Sequence, residues 1–99
     1  MLRCKAKIIN ERGLHVRPAA RFVAVVSEFE ASITVANGER SADGKSILGM
    51  MTLAARHGAE LAIEIDGSDE VAMAQTLAQE MTADLTIDTI EPVPDPPCR

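Results

Sequence analysis

In the amino-terminal stretch Leu2-Arg3-Cys4-Lys5-Ala6-Lys7-Ile8, apolar and cationic residues alternate without a break. This period of two is typical of a β-strand with one buried face and one solvated face. After a break at residues 10–13, Leu14-His15-Val16-Arg17-Pro18 leads into apolar side chains at positions 19, 22, 23 and 26, which share one face of a helix. Because proline is tolerated in the first helical turn, the order predicts a strand, a turn and a helix that begins at or next to His15.

The middle of the chain predicts a hairpin followed by a short helix. Residues 32–36 are β-rich, Asn37-Gly38 is a strong hairpin-turn pair, and residues 39–42 form the return strand. Residues 47–55 then predict a helix with Ser46 as its N-cap. Gly58 is the expected stop of this helix, with Arg56 and His57 near its negative end.

The second half adds one strand and one helix. Residues 60–66 alternate again, and the helix after Asp69 has its apolar face at positions 71, 74, 77, 78 and 81. The order β-α-β-β-α-β-α predicts an α+β open-faced β-sandwich, with a four-stranded antiparallel sheet and three helices on one face.

The chain has 99 residues, which is enough for one domain, expected over residues 1–90. Residues 91–99 contain four of the five prolines and predict a disordered tail. Residues 85–90 are ambiguous between a docked extension and an extra edge strand.

Composition excludes several classes of protein. No apolar run reaches the roughly 18 residues of a membrane helix, and no signal-peptide block begins the chain, so we expect a cytoplasmic protein without membrane contact. Cys4 and Cys98 lie at opposite ends and have no metal-ligand spacing, and no metal or cofactor is expected. With two aromatic residues and a net charge of −5, binding to nucleic acid is not expected.

Charge is unevenly distributed along the chain. Residues 1–50 hold eight Lys and Arg against five Asp and Glu, whereas residues 51–99 hold two against ten. Near the cationic first helix, His15 and Arg17 lie where unpaired N–H groups and the helix dipole favour anions, phosphate above all. Such an imidazole suits reversible phosphoryl transfer. From spacing alone, however, a capping histidine beside a surface arginine is the favoured interpretation.

Two motifs together carry a resemblance to a known family. The stretch Gly13-Leu14-His15-Val16-Arg17-Pro18-Ala19-Ala20, with Gly44-Lys45-Ser46-Ile47-Leu48-Gly49 about thirty residues later, closely resembles HPr, the histidine-containing phosphocarrier of the bacterial phosphoenolpyruvate-dependent phosphotransferase system. The resemblance covers about residues 1–85 in the same element order. It favours a functional histidine over a merely capping one.

The resemblance implies the roles of the first-helix residues. His15 would accept a phosphoryl group on Nδ1 from Enzyme I and pass it to a IIA protein or domain. Arg17 would stabilise the phosphate and contact partners, and Pro18 would shape the helix start. Val16 departs from the family's usual alanine, which leaves the choice of partner open.

Ser46 and its neighbours have a structural and a functional interpretation. As an N-cap, Ser46 accepts a backbone N–H; the resemblance adds regulatory phosphorylation by HPr kinase/phosphorylase. The helix after it is too short to bury all its apolar side chains, so some form an exposed patch. The resemblance implies that Ile47, Leu48 and Met51 join Arg17 and Ala20 in docking partners.

Three functions follow as alternatives. The first is a monomeric phosphoryl carrier with a phosphohistidine intermediate, which is not an enzyme with its own substrate. The second is a regulatory HPr-like protein, of a nitrogen-type branch or of catabolite control through Ser46, with little role in sugar transport. The third is a small α+β module that binds an anionic metabolite at the helix end.

Overall fold

The structure is a computed structural model, and it describes residues 1–93. Its elements are, in chain order, β1 (Leu2–Ile8), α1 (Val16–Val26), β2 (Ser32–Asn37), β3 (Arg40–Asp43), α2 (Ile47–Thr52), β4 (Glu60–Asp66), α3 (Glu70–Glu80) and β5 (Leu85–Pro92). The strands form one antiparallel sheet in the order β3-β2-β4-β1-β5. The predicted α+β open-faced sandwich with three helices is confirmed, but the sheet has five strands and not four.

The core lies between the sheet and the helices. In β1 and β4 every second side chain is buried, as the alternation predicts, and these side chains join the buried faces of the helices in one cluster. Phe22 of α1, Met50 of α2 and Leu77 of α3 are fully buried within it. Each helix therefore contributes one apolar face, which fixes where its ends lie over the sheet.

Strand β5 resolves the ambiguity over residues 85–90, because it pairs with β1 along its length. The pairing carries one irregularity: Lys5 lies opposite Thr89 and Ala6 opposite Ile87, so Asp88 is an extra residue. Strand β5 continues through Pro92, two residues past the predicted domain boundary. Residues 94–99 of the predicted disordered tail lie outside the described part of the chain.

Helix α2 is shorter than predicted. It ends at Thr52 with Leu53 as C-cap, and Ala54, at φ 52°, lies in the left-handed region. Leu53 and Ala55 are buried by tertiary packing and do not continue the helix. Gly58 was the wrong stop: it lies in the turn before β4, where its N–H donates to the carbonyl of Ile8 at 2.8 Å.

The hairpin turn is displaced by one residue from the predicted Asn37-Gly38 pair. Asn37 pairs with Arg40, so Gly38 and Glu39 form the turn. Asn37 belongs to the strand, and its side-chain amide donates to the carbonyl of Leu53 at 2.8 Å, at the end of α2.

The predicted apolar face of α3 was wrong at one position. Val71 is 54% exposed, and Met73 is buried in its place beside Ala74, Leu77 and Met81.

Candidate functional site

The loop between β1 and α1 is shaped by Gly13. Its φ of +72° lies in the left-handed region, and a Cβ atom there would come within 2.5 Å of the carbonyl oxygen of Ala55. The N–H of Gly13 donates to the carbonyl of Asn10 at 2.9 Å. A glycine is therefore required for the chain to turn tightly into the first helix.

His15 is the N-cap residue of α1, as predicted. Its backbone is extended, with φ −104° and ψ −168°, and its carbonyl accepts the N–H of Ala19 at 3.0 Å. Its imidazole makes no capping hydrogen bond, and the residue is half-buried. The simple alternative of a histidine whose ring caps the helix is therefore not what the structure contains.

The start of α1 offers a place for an anion. The N–H groups of Val16 and Arg17 precede the first intrahelical bond, Pro18 has no N–H, and within residues 1–93 no acceptor faces the two N–H groups. Arg17 is exposed. Unpaired amides, a helix dipole and a guanidinium group within one helical turn together favour a phosphate-sized anion at this helix end.

His15, Arg17 and Pro18 border a surface concavity of ≈ 790 Å³. Besides His15, its walls carry three guanidinium groups and two carboxyl groups, from Arg12, Arg17, Arg21, Glu11 and Asp84. Arg21 also lies 3.8 Å from a carboxylate oxygen of Glu80. Cationic side chains thus outnumber acidic ones on the walls.

Asn10 and Asp84 also line this concavity, and neither was identified from the sequence as part of the site. The amide nitrogen of Asn10 donates to a carboxylate oxygen of Asp84 at 2.8 Å, across 74 positions of sequence. In the sequence, Asn10 indicated only the end of the first strand. No local pattern shows that two residues so far apart are neighbours in the fold.

Ser46 is the N-cap of α2, as predicted. Its Oγ accepts the N–H of Gly49 at 3.0 Å, and the residue is half-buried. The serine thus has a structural role, and part of its side chain remains accessible.

The predicted exposure of the apolar side chains after Ser46 is confirmed. Leu48 is 80% exposed, Ile47 is 42% exposed, and Met51 is partly buried, whereas Met50 is fully buried in the core. Ala20 on α1 is half-buried, and α1 and α2 are packed together. We call Ile47, Leu48 and Met51 the α2 apolar patch.

Cys4 and His57 do not line the concavity. Cys4 is buried in β1, and burial raises the pKa of its thiol. His57 is exposed in the turn after α2 and is not at the end of a helix, because the helix ends at Thr52. Within residues 1–93, no group of three or more His, Cys, Asp or Glu is placed to hold a metal ion, and no helix has the length and apolar character needed to cross a membrane.

The fold and the site define a small α+β protein that presents one histidine at the start of a helix with unpaired N–H groups. The family model for the "PTS HPr component phosphorylation site" matches residues 2–83. The phosphocarrier protein HPr of Neisseria meningitidis serogroup A is 40% identical over 70 residues, which cover 71% of this chain and 79% of that protein. The chain belongs to the HPr family, the phosphocarrier proteins of the phosphotransferase system.

Solved structures agree with this assignment. The histidine-containing phosphocarrier protein of a Mycoplasma superposes with a TM-score of 0.78 at 35% identity, covering 82% of this chain and 94% of that one. The catabolite repression containing protein Crh of Bacillus subtilis superposes with a TM-score of 0.64 at 30% identity, covering 74% and 85% of the two chains.

Proposed function

We propose that this protein carries phosphoryl groups on His15, accepting each from phosphorylated Enzyme I and donating it to a IIA protein or domain. The observation that carries the proposal is the placement of His15. It is the N-cap residue of α1, its side chain makes no capping hydrogen bond, and it lines the same concavity as Arg17. Membership of the HPr family supports the same role.

The transfer needs only one nucleophilic nitrogen. The lone pair of Nδ1 attacks the phosphorus of the donor, a nitrogen–phosphorus bond forms, and the bond to the donor's leaving atom breaks with its electron pair returning to the donor. The next acceptor reverses the process, because imidazole is a reasonable leaving group. The carrier is returned unchanged, so it acts as a stoichiometric intermediate.

The protein's contribution is positioning and charge. Negative charge on the transferring oxygens would lie against the N–H groups of Val16 and Arg17, and the Arg17 guanidinium would donate further charge-assisted hydrogen bonds. These donors are fixed by the helix and need little rearrangement. Arg17 therefore stabilises the phosphoryl group, and its exposure leaves it able to contact partners as well.

We propose that partners dock on the α2 apolar patch together with Ala20 and Arg17. The patch is exposed and lies on a helix packed against α1, which carries His15 at its start. An apolar centre beside charged side chains is the usual composition of a protein-docking surface.

We propose further that phosphorylation of Ser46, by an enzyme of the HPr kinase/phosphorylase type, regulates this transfer. A phosphate at the start of α2 is compatible with the helix dipole, and it would add negative charge next to the α2 apolar patch. That charge would repel an acidic partner. The likeness to Crh, a catabolite repression protein by its name, supports the alternative of a regulatory HPr-like protein. In that alternative, regulation would act through Ser46 and His15 would be little used. The presence of both His15 and Arg17 favours the carrier.

The deciding experiment is phosphorylation with Enzyme I and phosphoenolpyruvate. We expect one acid-labile phosphate per chain, absent in His15→Ala and present in His57→Ala, since the chain has only these two histidines. Absent or very slow labelling of the unmodified protein would favour the regulatory alternative. Tight binding of a free anionic metabolite in calorimetry would instead favour an anion-binding module.

A further inference from the structure

Asp84 is the first residue beyond the stretch that the family model matches, which ends at residue 83. It is held firmly on both sides. Its N–H donates to the carbonyl of Met81 at 3.0 Å, after the end of α3, and the next residue, Leu85, pairs with Ile8 at the start of β5. Strand β5 therefore fixes Asp84 against the carboxyl end of β1.

Asp84 makes three hydrogen bonds to the loop that leads to His15. Its carbonyl accepts the N–H of Ile9 at 2.9 Å and that of Asn10 at 3.2 Å. Its carboxylate accepts the side-chain amide of Asn10 at 2.8 Å. The backbone and the side chain of one residue thus hold the same short segment of chain.

Asn10 passes this restraint along the loop. Its side-chain oxygen accepts the N–H of Arg12 at 2.9 Å, and its carbonyl accepts the N–H of Gly13 at 2.9 Å. The chain from Ile9 to Gly13 is therefore anchored two residues before the phosphoryl acceptor. We call the side-chain pair and its bond to Arg12 the Asn10–Asp84 latch.

We propose that the Asn10–Asp84 latch is a positioning device for phosphoryl transfer, with Asp84 and Asn10 as positioning residues for His15. The inference rests on His15 being the phosphoryl acceptor. Transfer requires the ring nitrogen and the phosphorus to meet in a narrow range of geometries, so a looser loop lowers the fraction of encounters that react. Neither residue of the latch belongs to the α2 apolar patch.

Because the latch lies outside the apolar core, its effect on the position of His15 can be measured apart from its effect on the stability of the fold. Asn10 and Asp84 are both half-buried and lie on the wall of the concavity, outside the apolar core. Loss of their side-chain bond should free the loop while leaving the core packed. The backbone bonds from Ile9 and Asn10 to the carbonyl of Asp84 persist in any side-chain variant.

The test compares Asp84→Ala with Asp88→Ala, an exposed aspartate on β5, the strand that begins directly after Asp84. In Asp84→Ala we expect the kcat for phosphorylation by phospho-Enzyme I to fall by roughly tenfold, the effect of one charge-assisted hydrogen bond on orientation. The KM should stay within about twofold, since the variant leaves the proposed docking residues unchanged. Amide exchange at Arg12 and the ring-proton spectrum of His15 should change, while those of His57 should not. Asp88→Ala should match the unmodified protein.

Swapping the two side chains between positions 10 and 84 keeps the proposal testable if Asp84→Ala misfolds. Asp84→Asn keeps an oxygen acceptor for Asn10 but removes the charge, so its kcat should fall less than that of Asp84→Ala. Asn10→Asp sets two carboxylates against each other and should be impaired. Asn10→Asp combined with Asp84→Asn restores a donor and acceptor pair of opposite sense, and it should recover most of the lost rate.

Unchanged kinetics in Asp84→Ala, or no recovery in the exchanged pair, would overturn the proposal. Failure of His15 to be labelled at all would instead overturn the proposed function. In that case, a changed rate of amide hydrogen exchange at Arg12 in Asp84→Ala would still show that the latch holds the loop. An unchanged rate would show that it does not.

Discussion

The N–H of Leu14 donates to the carbonyl oxygen of Ala55 at 2.9 Å, and this bond ties the residue before His15 to the segment after α2. Both residues are buried. The bond therefore fixes the start of α1 relative to the element that carries the α2 apolar patch. A partner docked on the patch, as proposed above, would therefore meet His15 at a constant distance.

The close contact of Gly13 with the same carbonyl group leads to a prediction on stability. Gly13→Ala combines a positive φ with a Cβ only 2.5 Å from Ala55 oxygen, so we expect a loss of at least about 2 kcal/mol in the free energy of unfolding. Gly38→Ala has a similar φ of +64° and open space around its Cβ, so it should lose only about 1 kcal/mol. Urea denaturation measures both, and equal losses would show that the contact with Ala55 contributes nothing.

The exposure of Leu48 leads to a prediction on docking. Leu48→Asp should raise the KM for phospho-Enzyme I by about tenfold or more, because a desolvated apolar contact is replaced by a charge. Stability should change little, since the side chain is 80% exposed. Val71→Asp is the matched control: Val71 is 54% exposed on α3, outside the α2 apolar patch. A Leu48→Asp protein with the KM of Val71→Asp would remove the patch from the docking surface.

Most of the fold could be predicted because its strands alternate without interruption. In β1 and β4 the buried residues are those at every second position. Strand β5 stayed only one of two alternatives because its pairing is irregular. Leu85 and Ile87 follow the alternation along the sequence, but the extra residue Asp88 shifts Ile90 by one position. The end of α2 was missed because Leu53 and Ala55 are apolar for tertiary reasons, and local propensity cannot show that.

The candidate site likewise has a part that local sequence predicts and a part that it does not. The position of His15 at the start of α1 followed from Pro18, whose place in the first turn is a local constraint. The latch between Asn10 and Asp84 depends on the pairing of β5 with β1, a contact across most of the chain. No pattern within a short window could indicate it.

The N-cap bond of Ser46 allows its structural and regulatory roles to be separated. Ser46→Ala removes the acceptor for Gly49 N–H and should lower the free energy of unfolding by about 1 kcal/mol with little effect on transfer. Ser46→Asp keeps an acceptor and adds a charge, so stability should be retained while the KM for phospho-Enzyme I rises by roughly tenfold. Ser68→Asp, exposed before α3, controls for the added charge. If Ser46→Asp transfers as well as Ser68→Asp, a phosphate at Ser46 would not act by charge.

The hydrogen bonds of Asp69 predict how stability depends on pH. The N–H of Glu30 donates to its carboxylate at 2.9 Å and lowers its pKa below the ordinary value of 3.8, with smaller contributions from the N–H of Ala31 and the charge of Lys45, against the opposing effect of burial. A carboxyl group whose pKa is lowered on folding stabilises the folded state above its unfolded pKa, and this contribution is lost as the pH falls through the lower folded value. The unmodified protein should therefore be more stable than Asp69→Asn at pH 7, and the difference should shrink below pH 3.8. Urea denaturation of both proteins across this range measures the difference, and a constant gap would mean that the ionisation of Asp69 is not coupled to folding.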